Sequence, residues 1–188
     1  MNNILKFVIV LLLISISSFA FRDDSVTDET PKMPTYSEFK TPVKYEFYVL
    51  YNAYRTEMNL DTLQEDTVLV VASLQHSLWL AMYNQQNSDA DFMITHWEDT
   101  NVEYIDERKT PKDRIEIYDT SIRGFIGENL DGKWNGEFTA KQIFEDWKNS
   151  PVHNAILLDP RAERMGLGLI RAEKYGKMCN YVTLLVTN

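Results

Sequence analysis

The 188-residue sequence predicts an α+β domain, on three observations. Apolar residues recur at helical spacing in the first half, strand-like runs close the chain, and 44% hydrophobic residues are enough to build a core. Taken in order, Phe47, Leu50, Tyr51, Tyr54 and Met58 fall on one helical face. A second helix runs from about Glu65 to Gln86, with Val71, Leu74, Leu78, Ala81 and Met82 as its apolar side and Asp66 or Thr67 as its cap. The stretch Ser88 to Asp131 reads as irregular and charged. Within it, Thr110-Pro111-Lys112-Asp113 marks a helix start, with Ile115 and Tyr118 as its apolar pair. A third helix, Thr139 to Lys148, carries Ala140, Ile143, Phe144 and Trp147 on one face; Ser150-Pro151 ends it and opens another short turn of helix. Finally, Met165–Ile170 and Met178–Val186 alternate like strands and join through a turn around Gly176, an antiparallel hairpin.

Ahead of the helices, residues 1–20 have the three parts of a secretory signal peptide. Lys6 supplies the basic start, Phe7 to Ile16 an apolar run too short to span a bilayer, and Ser18 and Ala20 the small residues of a cleavage site. Residues 21–43 are acidic and polar, with Pro31, Pro34 and Pro42, and read as a tether; residues 44–188 form the folded domain. The expected location is therefore secreted: extracellular or periplasmic. No membrane span is expected once the signal is removed.

Composition narrows the function. Nineteen basic against 28 acidic residues, a net charge of −9, argue against nucleic acid as a partner, because phosphate binding needs a positive surface. The single cysteine, Cys179, cannot form an internal disulfide, and its place in a strand predicts a buried, inert thiol. The signatures of zinc peptidases, serine hydrolases and phosphate-binding or dinucleotide loops are all missing.

Four stretches stand out: Asn52-x-x-Arg55; Thr95-His96-Trp97 followed by Thr110-Pro-Lys-Asp-Arg114; Ile126-Gly127-Glu128-Asn129-Leu130; and Trp147-Lys-Asn-Ser-Pro-Val-His153-Asn154, leading into Met165-Gly-Leu-Gly168. Their order resembles the CAP superfamily of cysteine-rich secretory, antigen 5 and pathogenesis-related proteins, most of all its short bacterial, YkwD-like branch. The resemblance covers Tyr45 to Thr187. It implies an α-β-α sandwich with helices on both faces of a small, mostly antiparallel sheet. It also implies a central cleft of two histidines and acidic residues that holds a divalent cation in several members. By that resemblance His96 and His153 match the two cleft histidines and Glu128 the first acid. Glu145 is the nearest match to a fourth position, although helical geometry turns it away from the face of Ala140, Phe144 and Trp147.

The same residues make chemical sense on their own. Neutral imidazole is the commonest protein ligand for a metal, and a neighbouring carboxylate sets its basicity. Two histidines with an uncertain acid describe an open site that binds one divalent cation weakly, zinc first. The competing reading has both histidines bonding neighbouring loops and Glu128 accepting backbone donors. Two functions follow. One is a secreted binding module for a lipid, sterol or protein ligand, the classes the resemblance implies. The alternative is a metal-assisted peptidase or esterase in which His96 and His153 hold the metal and Glu128 is the catalytic base.

The remaining features read as structural. His76 lies about 200° around the second helix from Leu78 and is expected at the surface or in packing, not as a ligand. Asn52 and Arg55 are expected to tie the first helix to the middle loops. Trp97 and Trp147 are expected in packing, Met58 and Met82 as core filler, and Gly166 and Gly168 as points of close backbone approach within the hairpin. The acidic run Asp89 to Asp106 is expected to be a solvated loop.

Overall fold

The computed structural model describes residues 42–87, 92–98, 110–136 and 138–188, all within one unit, Met33–Asn188. The signal segment and nearly all of the tether lie outside the described residues, as does most of the acidic run. Pro42 and Val43, assigned above to the tether, already belong to the first helix, α1 (Pro42–Glu57). Proline suits a first helical turn because its missing N–H has no partner there, and Val43 packs on the core.

The other elements follow as β1 (Gln64–Glu65), α2 (Thr67–Gln86), α3 (Pro111–Glu116), β2 (Ile126–Lys133), α4 (Ala140–Asn149), α5 (Pro151–Leu157), β3 (Arg164–Lys174) and β4 (Lys177–Thr187). Three helix starts follow their capping chemistry. Asp66 accepts from the amides of Val68 and Leu69, and Thr110 and Thr139 form reciprocal capping boxes with Asp113 and Gln142. The hairpin β3–β4 turns on Tyr175 and Gly176, both at positive φ (54° and 70°). Two such residues make the two-residue turn whose twist matches antiparallel strands.

The sheet order is β1-β3-β4-β2, antiparallel except for the short parallel pair β1–β3. Central β4 is covered on both faces, which explains its unbroken apolar run. Val182, Leu184 and Val186 share one cluster with Phe47 and Tyr51 of α1, Phe144 and Trp147 of α4 and Leu157 of α5. Tyr181 and Leu185 face the other way, among Trp79 and Leu80 of α2 and Ile115 of α3. Helices thus cover both faces of the sheet, the expected α-β-α sandwich, and Cys179 is buried as expected.

Several expectations are corrected. Strand β2 falls in a stretch read as irregular, because Gly127, Asn129 and Asp131 hide its alternation. Met58 and Trp97 are exposed, not packed, whereas Trp147 is buried and donates from Nε1 to the Leu130 carbonyl at 3.0 Å. Arg55 is buried and binds the carbonyls of Asp61, Leu157 and Asp159 at 2.7, 2.8 and 3.1 Å. Asn52 holds both backbone groups of Leu63. These two residues therefore tie α1 to its own exit loop and to the turn after α5, not to the middle of the chain.

The largest correction concerns α2. Its buried residues are Leu69, Ala72, Ser73, Gln75, His76, Ser77, Trp79, Leu80, Ala81 and Asn84; of the expected apolar side Ala81 is buried, while Val71, Leu74, Leu78 and Met82 are only half-buried. The reason lies across the interface. Ser73 Oγ and Ser77 Oγ donate to the carbonyls of Gly166 and Gly168 at 2.8 and 3.1 Å. A Cβ built on either glycine would sit 2.3 Å from α2 backbone atoms. The glycines therefore admit the helix backbone, and the close approach they allow is not within the hairpin. Small and polar residues of α2 sit over these two glycines, while Leu69, Trp79 and Leu80 make the apolar part of the same helix–sheet seam.

Candidate functional site

Glu128 lies on β2 opposite Leu185, so its side chain points to the α2–α3 layer; Asn129 and Asp131 point to the α4–α5 layer. Because β2 is an edge strand among the described residues, side chains from both layers can meet beside it. From one layer comes His96, whose Nδ1 bonds Glu128 Oε1 at 2.8 Å and whose side chain is about half exposed, 50%. From the other comes His153 on α5, whose carbonyl accepts from Asn129 Nδ2 at 3.0 Å. Burial, followed by the charge of nearby His96, lowers the His153 pKa, so this ring is neutral at neutral pH.

Behind Glu128 stands Arg114, buried on α3. Its Nη2 bonds Glu128 Oε2, and its Nη1 donates to the His96 carbonyl at 3.3 Å and lies 3.6 Å from Glu98 Oε1. Glu98 Oε1 is in turn 2.8 Å from His76 Nδ1, and His76 Nε2 is 2.9 Å from the Thr95 carbonyl. His76, Glu98 and Arg114 are all buried. The linked side chains run His76–Glu98–Arg114–Glu128–His96. Burial alone would raise the Glu128 pKa, but the bond to His96 and the Arg114 charge outweigh it and hold the carboxyl below its usual value.

Three of the expected site residues, His96, Glu128 and His153, are therefore gathered at one edge of the sheet. Glu145, half-buried on α4, shares no hydrogen bond or ion pair with them. Among the described residues no three His, Cys, Asp or Glu side chains converge as a ready cage for a metal. Both oxygens of Glu128 already have partners, whereas among the described residues His96 Nε2 and the ring of His153 have none. Trp97 and Val152, the neighbours of these histidines, are strongly exposed.

His76, Glu98 and Arg114 are not among the site residues that the sequence points to. His76, expected to face outward or to pack, is fully buried and hydrogen-bonded to Glu98 and Thr95, because the inward face of α2 is the one opposite the stripe of Val71, Leu74 and Leu78. Glu98 sits in an acidic run that reads as solvated, and nothing local marks it as different. Arg114 carries two usable signals, its place in the stretch Thr110-Pro-Lys-Asp-Arg114 and its position next to inward-facing Ile115 on a helix of six residues.

The comparisons agree with this architecture. The model of the cysteine-rich secretory protein (CAP) family matches residues 48–186. An outer surface protein from Borrelia burgdorferi has a similar fold, at a TM-score of 0.55 and 21% identity, over 79% of this chain and 96% of that one. An extracellular protein containing an SCP domain, from Bacillus anthracis str. Ames, gives a TM-score of 0.59 at 19% identity, over 82% of this chain but 44% of that one. Comparison with curated proteins gives no match. With the family model spanning the sandwich and all three gathered residues, the chain belongs to the CAP family of cysteine-rich secretory proteins.

Proposed function

We propose that this chain is an exported CAP-family binding module whose cleft holds one divalent cation between His96 and His153, zinc before other metals. The observation that carries the reading is the complete engagement of Glu128. With Oε2 on Arg114 and Oε1 on His96 Nδ1, this carboxylate is an orienting group and not a ligand. A bond of that kind fixes the tautomer of a metal-binding histidine and puts its lone pair on Nε2. His153, kept neutral by burial, is the second donor. Two imidazoles suit zinc among the common divalent ions, and with water in the other positions they bind it weakly. A cation held there would present an open position to an oxygen or nitrogen of a lipid, sterol or protein ligand.

The hydrolase alternative needs Glu128 to take a proton from water. A carboxylate with both oxygens bonded and its pKa held down is a poor base at neutral pH, which favours binding over hydrolysis. Export rests on the signal-like Met1–Ala20 and on the extracellular and outer-surface descriptions of the similar structures. No helix of the described residues is long and apolar enough to cross a membrane.

Calorimetric titration with zinc tests the cleft. One site is expected in the native chain and none in the His96→Ala/His153→Ala double variant. Absence of binding in the native chain, or equal binding in both, would refute the cation reading.

A further inference from the structure

The cluster behind Glu128 ends in a histidine that touches neither the cleft nor solvent. Both ring nitrogens of His76 have oxygen partners, Glu98 Oε1 at 2.8 Å and the Thr95 carbonyl at 2.9 Å. A carbonyl can only accept, so Nε2 donates to Thr95, and Nδ1 shares its hydrogen bond with Glu98. Glu98 also stands 3.6 Å from the Arg114 guanidinium, and the side chains of His76, Glu98 and Arg114 are all inaccessible. The ring is also stacked on Trp79, 5.9 Å between centroids and 9° between planes, so its orientation is fixed from the helix side.

Both partners belong to one short stretch, Thr95 and Glu98, and His96 lies between them. We infer that His76 is a positioning residue: with both ring nitrogens bonded it clamps the Thr95–Glu98 segment onto α2 and so sets the place of His96 in the cleft. The clamp grips on either side of His96, while Arg114 holds the His96 carbonyl from below. His96 is thus fixed by its backbone from two sides and by its ring through Glu128. The inference deepens the cation reading and relies on it for one of its two tests.

The first test needs no metal. Nitrogen-15 NMR of the native chain should show a proton on His76 Nε2 that is slow to exchange, held by the Thr95 carbonyl. An unprotonated or rapidly exchanging Nε2 would overturn the inference, whether or not the cleft binds a cation. The second test is zinc titration of His76→Phe, which keeps a ring on Trp79 but offers no donor. Affinity should fall about tenfold or more, and the ring signals of His96 should shift. His76→Gln, with one donor restored, should fall between that variant and the native chain. Leu69→Ala, equally buried on α2 but about two turns away from the clamp, should lose stability and keep its zinc affinity and its His96 signals. Equal loss of affinity in Leu69→Ala and His76→Phe, or unchanged His96 signals in His76→Phe, would reduce His76 to general packing. If the native chain binds no zinc, the cation reading falls alone and the NMR results still decide the clamp. A His76→Phe chain that does not fold leaves the protection of the His76 Nε2 proton in the native chain as the deciding result.

Discussion

Replacing Arg114 with methionine removes the cation between two carboxylates and keeps much of the side-chain volume. Glu128, almost fully buried, would lose the partner of its Oε2, and Glu98 would lose a guanidinium 3.6 Å away. Stranding one buried charge by deleting its partner costs about 3–5 kcal/mol. His96 and His76 still bond the two carboxylates, so about 3 kcal/mol is the expected loss at neutral pH. The pH dependence tests the cause. In the native chain the folded pKa of Glu128 is lowered, so its contribution to stability is present above the unfolded value and is lost as pH falls through the folded one. Without Arg114, burial becomes the ruling influence and the folded pKa rises above the unfolded value. The variant is then penalised while Glu128 is ionised and relieved as it protonates. Urea denaturation of both chains from neutral pH down to about pH 4 should show the gap narrowing with acid. A loss below about 1 kcal/mol at neutral pH, or a gap that stays constant with pH, would refute this account of the cluster.

Other perturbations follow from the same geometry. Gly168→Ala places a methyl 2.3 Å from the backbone of Ser73 and Leu74 and pushes α2 off the sheet; we expect a loss of about 2–4 kcal/mol in urea denaturation, and a near-neutral result would mean that α2 is not seated on this glycine. Asp131, with Oδ2 buried and unpartnered, has its pKa raised by burial to about 6. A carboxyl raised in this way destabilises the fold as pH climbs through the folded pKa, so Asp131→Asn should add about 1 kcal/mol at neutral pH, after allowing for solvent screening, and nothing in strong acid. A thermal melt of the two chains at both pH values measures this, and an equal gain at each would point to a cause other than charge.

Much of this protein can be read along the chain. The caps at Asp66, Thr110 and Thr139, the periodic faces of α1 and α4, and the Tyr175-Gly176 hairpin depend on residues within a few positions of each other. So does the grouping of His96, Glu128 and His153 into recognisable short stretches. The inward face of α2 is not readable in that way. Hydrophobic spacing selects Val71, Leu74 and Leu78, but the helix buries Ser73, His76 and Ser77, because the two serines meet the bare backbone of Gly166 and Gly168 some 90 residues away. The placing of buried charge is equally hidden. His76, Glu98, Arg114 and Glu128 each look like surface residues when taken singly, since an isolated charge is costly to bury. Only when the sandwich closes and brings opposite charges to within hydrogen-bonding distance does burial become tolerable, and that pairing is a property of the tertiary structure alone.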